Sequence, residues 1–419
     1  MISESSPMKK RKPQTENWHV IRILPELQMT RAFECRDVAL VPRSDLRLIQ
    51  AAARNASVRY MLQGFPNSKS ADTWPCALIL REGSRLDSLE ALVEFRNIVA
   101  VCCMLHSWMA SIPALNVTQP IYSQQFDFYP YHPTKDPKLL LSTCFGKDAG
   151  IPATRGFRGQ LNDSLPMHFN YLNGDVPSAC RSLLERMMKV WEDYYYRRKT
   201  AVRRKCIRAF SAAYAAFRGP DYTSLPMHDY GIQAAFWVSA LETLAQPKKA
   251  PGRKPSVNIN HVLDLLEGKC VCSLPSHCDC FIPDRDFLRT RRGKVRKNDP
   301  PRNRNYMQRL YQRLYTLRNR CLHGSLFGRT EIWPKKVTKR SLAGGVGPVL
   351  FFIAARQHLC QAGYQSPVAD SKTLFFGLRK LGLPQGPPSR RRSFGLRHFE
   401  NTMANRCLEV FKRKRDAES

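Results

Sequence analysis

The sequence lacks any apolar run long enough to cross a membrane. Its most apolar stretch, residues 98–105, is eight residues long, whereas a membrane-spanning helix needs about 20. The beginning of the chain carries a basic run at residues 8–12 but no apolar segment of the kind that a secretory signal contains. We therefore predict a cytoplasmic protein with no membrane partner.

Acidic residues are scarce relative to basic ones. The chain of 419 residues has 34 Asp and Glu against 67 Lys and Arg, which gives a formal net charge of +33. Because like charges repel one another in the compact state, a polyanionic partner is the natural explanation, and nucleic acid fits best. The plain alternative is that the excess only keeps the chain in solution.

The 14 cysteines are expected to be free thiols or metal ligands, since a reducing compartment disfavours a disulfide framework. Four of them form two C-x-C pairs, Cys270 with Cys272 and Cys278 with Cys280. Four thiolates suit a tetrahedral zinc ion that would staple the surrounding loop rather than catalyse. Pairs of the C-x-x-C type are more usual, so loop thiols or redox chemistry stay open as alternatives.

The distribution of apolar residues predicts an α+β N-terminal domain at residues 1–185 and an all-α helical bundle at residues 186–365. The first is a candidate sensor or specificity domain. A basic, cysteine-rich insertion at about residues 270–301 interrupts the bundle, and a basic extension follows at residues 366–419.

Local patterns place the elements within these domains. Runs rich in β-branched and apolar residues predict strands at 20–29, 31–42, 74–81 and 139–145. Apolar residues at three- and four-residue spacing predict helices at 45–64, 86–110, 203–217, 230–245, 260–267, 303–322 and 348–361. The helix at 230–245 is apolar on nearly every side, so it should lie centrally.

Aromatic residues cluster between residues 121 and 132. Such rings can stack on the bases of single-stranded nucleic acid, but a cluster of this kind is more often part of a core, and we favour the core. The residues are Tyr122, Phe126, Phe128, Tyr129 and Tyr131.

The strongest candidate for chemistry is an Arg-x4-His pattern at Arg318 and His323, at the end of the helix predicted from residue 303. Gly324 follows directly and suits a helix C-terminus. Five helical positions turn through about 500°, so the two side chains point about 140° apart unless His323 lies on a frayed last turn. A guanidinium can hold a phosphate bidentately, and an imidazole can carry a proton at neutral pH.

The run LRNRCLHG at residues 317–324 resembles the RNxxxHG signature of HEPN domains, most closely the Apea-like group. The run ALETL at residues 240–244 resembles the ALExL of that group's second helix, and the order of the helices also fits. The resemblance covers roughly residues 200–365. The sequence departs from the pattern in its 270–301 insertion and in Cys321, where an aliphatic residue is commoner.

The resemblance implies a metal-independent endoribonuclease in which the RNA 2′-hydroxyl attacks the adjacent phosphorus and leaves a cyclic phosphate. Arg318 would hold the phosphate, His323 would carry the proton, and Asn319 would orient one of these groups. HEPN domains typically pair, so a homodimer with a composite site is implied, with no cofactor required. Bacterial HEPN proteins of this build are often antiviral defence effectors or toxins.

Glu242 is a further candidate, because a carboxylate on an apolar helix is costly unless it is paired. We expect it to lie against Arg318, either to hold the guanidinium or as a purely structural ion pair. The basic stretches predict RNA contacts through the phosphate backbone. Those singled out are Arg291, Arg292, Lys294, Arg296, Lys297, Arg203 and Arg204.

Two other functions stay open from the sequence. Many HEPN domains are inactive, so the chain is alternatively a nucleic-acid-binding or interaction adaptor in which Arg318 and His323 merely cap a helix. A transcription-type DNA-binding protein is disfavoured, because the sequence has no clear recognition-helix pattern.

Overall fold

The computed structural model describes residues 17–29, 31–65, 75–86, 88–111, 122–134, 136, 139–142, 149–152, 167–168, 178–218, 226–247, 259–267, 291–293, 302–325 and 346–364. The chain forms two compact units. The sheet unit comprises Met1–Asp87 with Phe128–Leu165, and the helical unit comprises Ser88–Asp127 with Pro166–Ser419. The expected order of a sheet-containing region followed by mostly helical segments is confirmed. The domain boundary at residue 185 stays a prediction. Packing assigns Ser88–Asp127 to the helical unit.

The sheet unit contains a four-stranded antiparallel sheet, whose strands lie in the order first, fifth, fourth and third of the chain, and a three-stranded antiparallel sheet formed by the sixth to eighth strands. Its strands are β1 (Trp18–Leu24), β2 (Leu27–Gln28), β3 (Phe33–Cys35), β4 (Val38–Val41), β5 (Cys76–Arg81), β6 (Tyr131–Pro133), β7 (Leu139–Ser142) and β8 (Ala149–Pro152). Its helices are α1 (Leu46–Arg54) and α2 (Ala56–Gly64).

Three predicted elements of this unit are each split in two, and each break has a local cause. The predicted strand 31–42 is a hairpin, because Arg36 adopts a positive φ of 51° between β3 and β4. Pro25, which has no N–H to donate, separates β1 from β2. The predicted helix 45–64 breaks at Asn55, whose side chain accepts from the backbone N–H groups of Ser57 and Val58 and so begins a new helix.

The helical unit contains the remaining described elements. They are α3 (Leu89–Ser111), a short 3-10 turn (Ser123–Phe126), β9 (Met167–His168), α4 (Ser178–Glu192), a π turn (Asp193–Arg197), α5 (Ala201–Ala216), α6 (Pro226–Ala245), α7 (Ile259–Leu265), β10 (Arg291–Gly293), β11 (Arg302–Arg304), α8 (Tyr306–Leu322) and α9 (Gly347–Gln361). Every helix predicted for residues 203–361 is therefore present, within a few residues of its expected bounds. Among the described residues, no helix has the length and apolar character needed to span a membrane.

Helix α6 is the centre of the helical unit, as its composition predicts, since it packs against α5, α7, α8 and α9. Trp237 and Leu241 are fully buried on it. An added Cβ at Gly347 would lie 2.4 Å from the Trp237 ring, so glycine is what lets α9 approach. Two of its apolar side chains are nevertheless at the surface, since Ile232 and Phe236 are each 39% exposed.

The start of α8 is fixed by a reciprocal cap. Asn305 accepts from the Gln308 backbone N–H, and the Gln308 side chain accepts from the Asn305 backbone N–H, both at 2.9 Å. The Asn305 amide also donates to the carbonyl of Leu266 at 2.9 Å, and Gln308 donates to that of Leu263 at 2.7 Å. The cap therefore ties α8, which carries the candidate site, to the end of α7.

We predict that Asn305→Ala lowers the free energy of unfolding by about 2 kcal/mol, because it removes the cap and strands buried carbonyl groups. Urea denaturation of the full chain measures this. Thr316→Ala on the exposed face of the same helix is the matched control and should change stability by less than about 0.5 kcal/mol. Equal effects of the two variants would contradict the assigned role.

Candidate active site

The motif residues lie at the C-terminal end of α8, next to α6. Leu310, Tyr311, Leu314 and Leu317 are buried at the predicted three- and four-residue spacing and form the apolar face of α8. Because α8 packs against α6 through this face, Arg318 and Asn319 lie beside the packed surface and are half-buried.

Arg318 is oriented by a hydrogen bond to Asn319, and its guanidinium keeps further N–H donors. Its Nη1 donates to Asn319 Oδ1 at 2.8 Å, and its guanidinium lies 5.7 Å from the centre of the Tyr315 ring. Within the described part of the chain this is the one hydrogen bond of the guanidinium. The remaining N–H groups are therefore available to an anion, for which the planar fork of arginine suits a phosphate.

Glu242, on α6, interacts with this group from the facing helix. Burial raises the pKa of the Glu242 carboxyl above its ordinary value of 4.5, and the positive charge of Arg318 partly opposes the shift. Among the described residues no ion pair within 4.0 Å joins the two. The expected proximity is thus seen as an electrostatic interaction rather than as a direct contact.

Tyr311 completes the cluster from within the α6–α8 interface. Its side chain is fully buried, and its hydroxyl has no hydrogen-bond partner among the described residues. Burial raises the pKa of Tyr311 above its ordinary value, and the negative charge of Glu242 adds to the shift. An unpaired buried hydroxyl costs stability, so the cluster is not optimised for packing alone.

His323 ends α8, and the backbone there explains the glycine that follows. Gly324 has a positive φ of 65°; Ser325 N–H donates to the Arg320 carbonyl at 2.9 Å and Gly324 N–H to that of Cys321 at 3.3 Å. This pair of bonds is a Schellman motif, in which glycine adopts the left-handed conformation at low cost. The predicted helix end at Gly324 is confirmed.

The His323 side chain is exposed, and within the described residues nothing connects its ring to Arg318. The structure therefore brings Arg318, Asn319 and Glu242 together and places His323 five residues further on, at the helix end. An incoming substrate, or a second chain, would have to bridge the Arg318 cluster and His323.

The predicted RNA-contact residues fall into three groups. Arg291 and Arg292 lie in β10, which pairs with β11 so that Arg291 faces Arg304 and Arg292 faces Asn303. Arg203 and Arg204 lie in the first turn of α5. The others, Lys294, Arg296 and Lys297, lie outside the described residues.

The two arginines of α5 differ in environment. Arg203 donates to the Tyr364 hydroxyl at 2.8 Å, to Asp193 at 3.2 Å and to the carbonyl of Arg198 at 2.8 Å. The hydrogen bond to Tyr364 is the main cause of its raised pKa. Arg204 is exposed and makes a 3.3 Å hydrogen bond to the Tyr194 hydroxyl.

The predicted zinc ligands Cys270, Cys272, Cys278 and Cys280 also lie outside the described residues. Among the described residues, no group of three or more potential ligands could hold a metal ion. Six of the described cysteines are free thiols, as the composition predicts, whereas Cys360 in α9 is disulfide-bonded. The free ones are Cys35, Cys76, Cys102, Cys103, Cys206 and Cys321.

Two of the five rings in the aromatic cluster at residues 122–131 lie in cores. Phe126 is fully buried in the helical unit, and Tyr129 is 8% exposed in the sheet unit. Tyr129 packs edge-on against Phe65 with ring centres 4.9 Å apart. The core interpretation is confirmed for these two rings, which no base could reach for stacking.

The two tyrosines of α8 were not predicted as part of the site. Tyr311 and Tyr315 precede Arg318 at seven and three positions, so helical spacing already places all three on one side of α8. The signal was present, but tyrosines in an apolar periodicity are indistinguishable from ordinary core residues until the facing Glu242 is known.

Comparison with protein-family models, curated proteins and solved structures finds no match to this chain. The HEPN resemblance therefore depends on the LRNRCLHG and ALETL runs and on the helix order. It stays a hypothesis about both family and activity.

We predict that Glu242→Gln gains stability relative to wild type as the pH rises from about 4 to 7. A carboxyl with a raised pKa binds more protons folded than unfolded, so its contribution to stability is lost as the pH rises through that pKa. Urea denaturation across this pH range measures the difference.

Asp264→Asn, at an exposed position of α7, is the control for removing one negative charge from the helical unit. A stability difference between Glu242→Gln and wild type that is constant across the range would show that burial does not govern this carboxyl.

Proposed function

We propose that this chain is a metal-independent endoribonuclease of the HEPN type that acts in the cytoplasm. The observation that carries the proposal is the state of Arg318: its guanidinium is oriented by Asn319, lies near Glu242 and keeps most of its donors for a ligand. The exposed His323 at the end of the same helix supplies the proton carrier that cleavage needs.

The proposed reaction is a transesterification within the RNA. The 2′-oxygen forms a bond to the adjacent phosphorus and the bond from phosphorus to the 5′-oxygen breaks, which leaves a 2′,3′-cyclic phosphate and a 5′-hydroxyl. Arg318 stabilises the charge that develops on the phosphoryl oxygens. His323 accepts the 2′-hydroxyl proton or donates one to the leaving 5′-oxygen. The reaction balances without a metal ion.

We also propose that two chains pair through the helical unit, because one His323 cannot take and give a proton in the same step. The exposed apolar residues on α6 and at the end of α8 support pairing: Ile232 and Phe236 are 39% exposed, and Leu322 is 57% exposed. A composite site of this kind suits a defence effector or toxin, with the sheet unit as its sensor or specificity region.

A second candidate function is an inert nucleic-acid-binding adaptor. It is favoured by the helix end itself, since the Schellman motif accounts for Gly324 and for the position of His323 without any reaction. The adaptor and the ribonuclease differ in whether RNA is cut.

We predict that Arg318→Ala and His323→Ala each lower the rate of RNA cleavage by about 10²- to 10⁴-fold, because each removes a group that acts in the transition state. Gel analysis of a labelled RNA in EDTA measures the rate. The products should carry cyclic phosphate ends, and a 2′-deoxy substrate should resist cleavage. If a dimer forms the site, the specific activity should fall on dilution.

Arg313→Ala is the matched control, because it removes the same charge from an exposed position of the same helix. It should cut like wild type, and all three variants should keep the wild-type melting temperature within a few degrees. If His323→Ala cleaves RNA as fast as wild type, the ribonuclease proposal is wrong. If wild type and all three variants bind RNA but none cleaves it, the chain is an adaptor.

We further propose that the cysteines at 270, 272, 278 and 280 hold one structural zinc ion. Protein purified without added zinc should then contain about one zinc per chain, since such sites bind tightly. Metal analysis of wild type and of a Cys270→Ser, Cys280→Ser variant tests this, and cleavage in EDTA should persist. A zinc content near zero in the wild type contradicts the site.

A further inference from the structure

The junction between α4 and α5 concentrates exposed positive charge. Residues 193–208 contain seven Lys and Arg and one acidic residue, Asp193. Five of the seven basic side chains are exposed, namely Arg197, Arg198, Lys199, Arg204 and Arg208. Arg204 and Arg208 are one helical turn apart, a spacing at which like charges destabilise a helix. We call these five residues with Tyr194 the basic turn.

Two acidic groups near the basic turn, Asp193 and Glu94, already have partners within the protein. Asp193 is buried and accepts from Arg203 at 3.2 Å and from the Tyr364 hydroxyl at 3.1 Å. It also pairs at 3.2 Å with Arg197, whose side chain is nevertheless 70% exposed. Glu94, which interacts with Lys199 and Arg208 and is repelled by Glu90, accepts a hydrogen bond from Tyr195. The exposed charge is therefore only partly neutralised.

An aromatic ring lies within this surface. Tyr194 is half-buried, with the Lys199 ammonium 5.7 Å from its ring centre and its hydroxyl bonded to Arg204. Tyr195 packs edge-on against it with ring centres 5.0 Å apart. Cations around a held, partly exposed ring are the combination that single-stranded nucleic acid uses: phosphates bind the cations and a base stacks on the ring.

The backbone of the basic turn is held by its own network. The π turn is a rare element that is frequent at functional sites. Arg203 bonds to the carbonyl groups of Asp193 and Arg198 as well as to the Asp193 carboxylate and Tyr364, so it links the turn to the end of α9. Arg203 is thus a positioning residue, and the exposed arginines beside it are the ones that can reach a ligand.

We infer that the basic turn is a binding surface for single-stranded RNA, with phosphates on its arginines and one base stacked on Tyr194. This deepens the proposed function, on which it rests for the choice of RNA. Duplex RNA is disfavoured because its bases are stacked and its readable edges are confined to the grooves. A membrane surface is disfavoured because the exposed positions between 197 and 208 are Arg, Lys and Ala, without the large apolar side chains that insert into lipid.

Binding is measured by fluorescence anisotropy with a labelled 2′-O-methyl RNA of about 16 nucleotides, at the upper end of known site sizes. This probe cannot undergo 2′-hydroxyl attack, so failure of the ribonuclease leaves the test intact. The full-length triple variant Arg198→Glu, Arg204→Glu, Arg208→Glu should bind at least about tenfold more weakly at moderate salt. Its slope of log affinity against log salt should be shallower by about 2, from three lost phosphate contacts.

The matched control is Arg31→Glu, Arg59→Glu, Arg85→Glu, which reverses three exposed arginines of the sheet unit. It changes the net charge by the same amount and should weaken binding by less than about threefold. Tyr194→Phe keeps the ring and should bind like wild type, whereas Tyr194→Ala should bind about tenfold more weakly. Melting curves of each variant establish that it is folded.

Equal losses from the two triple variants would overturn the inference, because net charge alone would then explain binding. Wild-type affinity of Tyr194→Ala would overturn the stacking. Stronger binding of a duplex RNA than of the single strand would overturn the substrate class. Loss of binding to phosphatidylserine vesicles by the basic-turn variant, with RNA binding unchanged, would assign the surface to a membrane instead.

Discussion

The burial of α6 is the constraint on which the rest of the helical unit depends. This helix packs against α5, α7, α8 and α9, so the candidate site on α8, the part of the basic turn on α5 and the end of α9 all take their positions from one apolar element. Burying a large side chain such as Trp237 contributes about 2–3 kcal/mol or more. The close approach of α9 at Gly347 allows that ring to be covered.

Repulsion among the excess positive charges destabilises the compact fold. The protein offsets part of it because selected arginines donate hydrogen bonds to internal acceptors. Arg203 is bound by Asp193, Tyr364 and two carbonyl groups. Arg186 donates twice to Ser182 within α4. The exposed arginines of the basic turn and Arg318 are among those with fewer internal partners, and a phosphate bound there would relieve the repulsion.

Periodicity predicted the helices well because a buried stripe repeats along the chain regardless of what it packs against. The breaks were harder to predict. Nothing in the apolar pattern of residues 31–42 marks the hairpin, since Arg36 adopts its positive φ without a glycine. The helix breaks at Asn55 because that side chain caps two backbone N–H groups. In the sequence, the capping preference of one asparagine is too weak a signal to outweigh the helical pattern on both sides.

In the candidate site too, features within one helix were predicted, and features that depend on how two helices pack were not. Arg318, Asn319, His323 and Gly324 were found from spacing within one helix. The facing Glu242 was predicted because an unpaired carboxylate on an apolar helix costs free energy. Its interaction with Tyr311 could not be predicted, since it depends on how α6 and α8 pack. The sequence could not distinguish the exposed Arg204 from the internally bonded Arg203. The two are neighbours in sequence, and they differ only because Arg203 bonds to Asp193 and Tyr364.

The helical unit contains a second Arg-Asn pair, Arg96 and Asn97, which differs from Arg318 and Asn319 in how many acceptors surround the guanidinium. Arg96 on α3 donates from Nε to Asn97 Oδ1 at 2.9 Å, much as Arg318 donates to Asn319 at 2.8 Å. Arg96, however, is only 7% exposed, lies 4.4 Å from the centre of the Tyr214 ring, and donates to the carbonyl of Phe126.

Burial lowers the pKa of Arg96, and the nearby Tyr214 and Asp127 oppose that shift. Its guanidinium is therefore used to join α3 to the 3-10 turn and to α5. Arg318 also donates to the asparagine that follows it, from Nη1 instead of Nε, but in the described structure it has no such set of acceptors. A half-buried guanidinium that is oriented by its neighbour and keeps free donors can bind an anionic ligand bidentately. This difference in hydrogen-bond partners supports the proposed binding of a phosphate at Arg318.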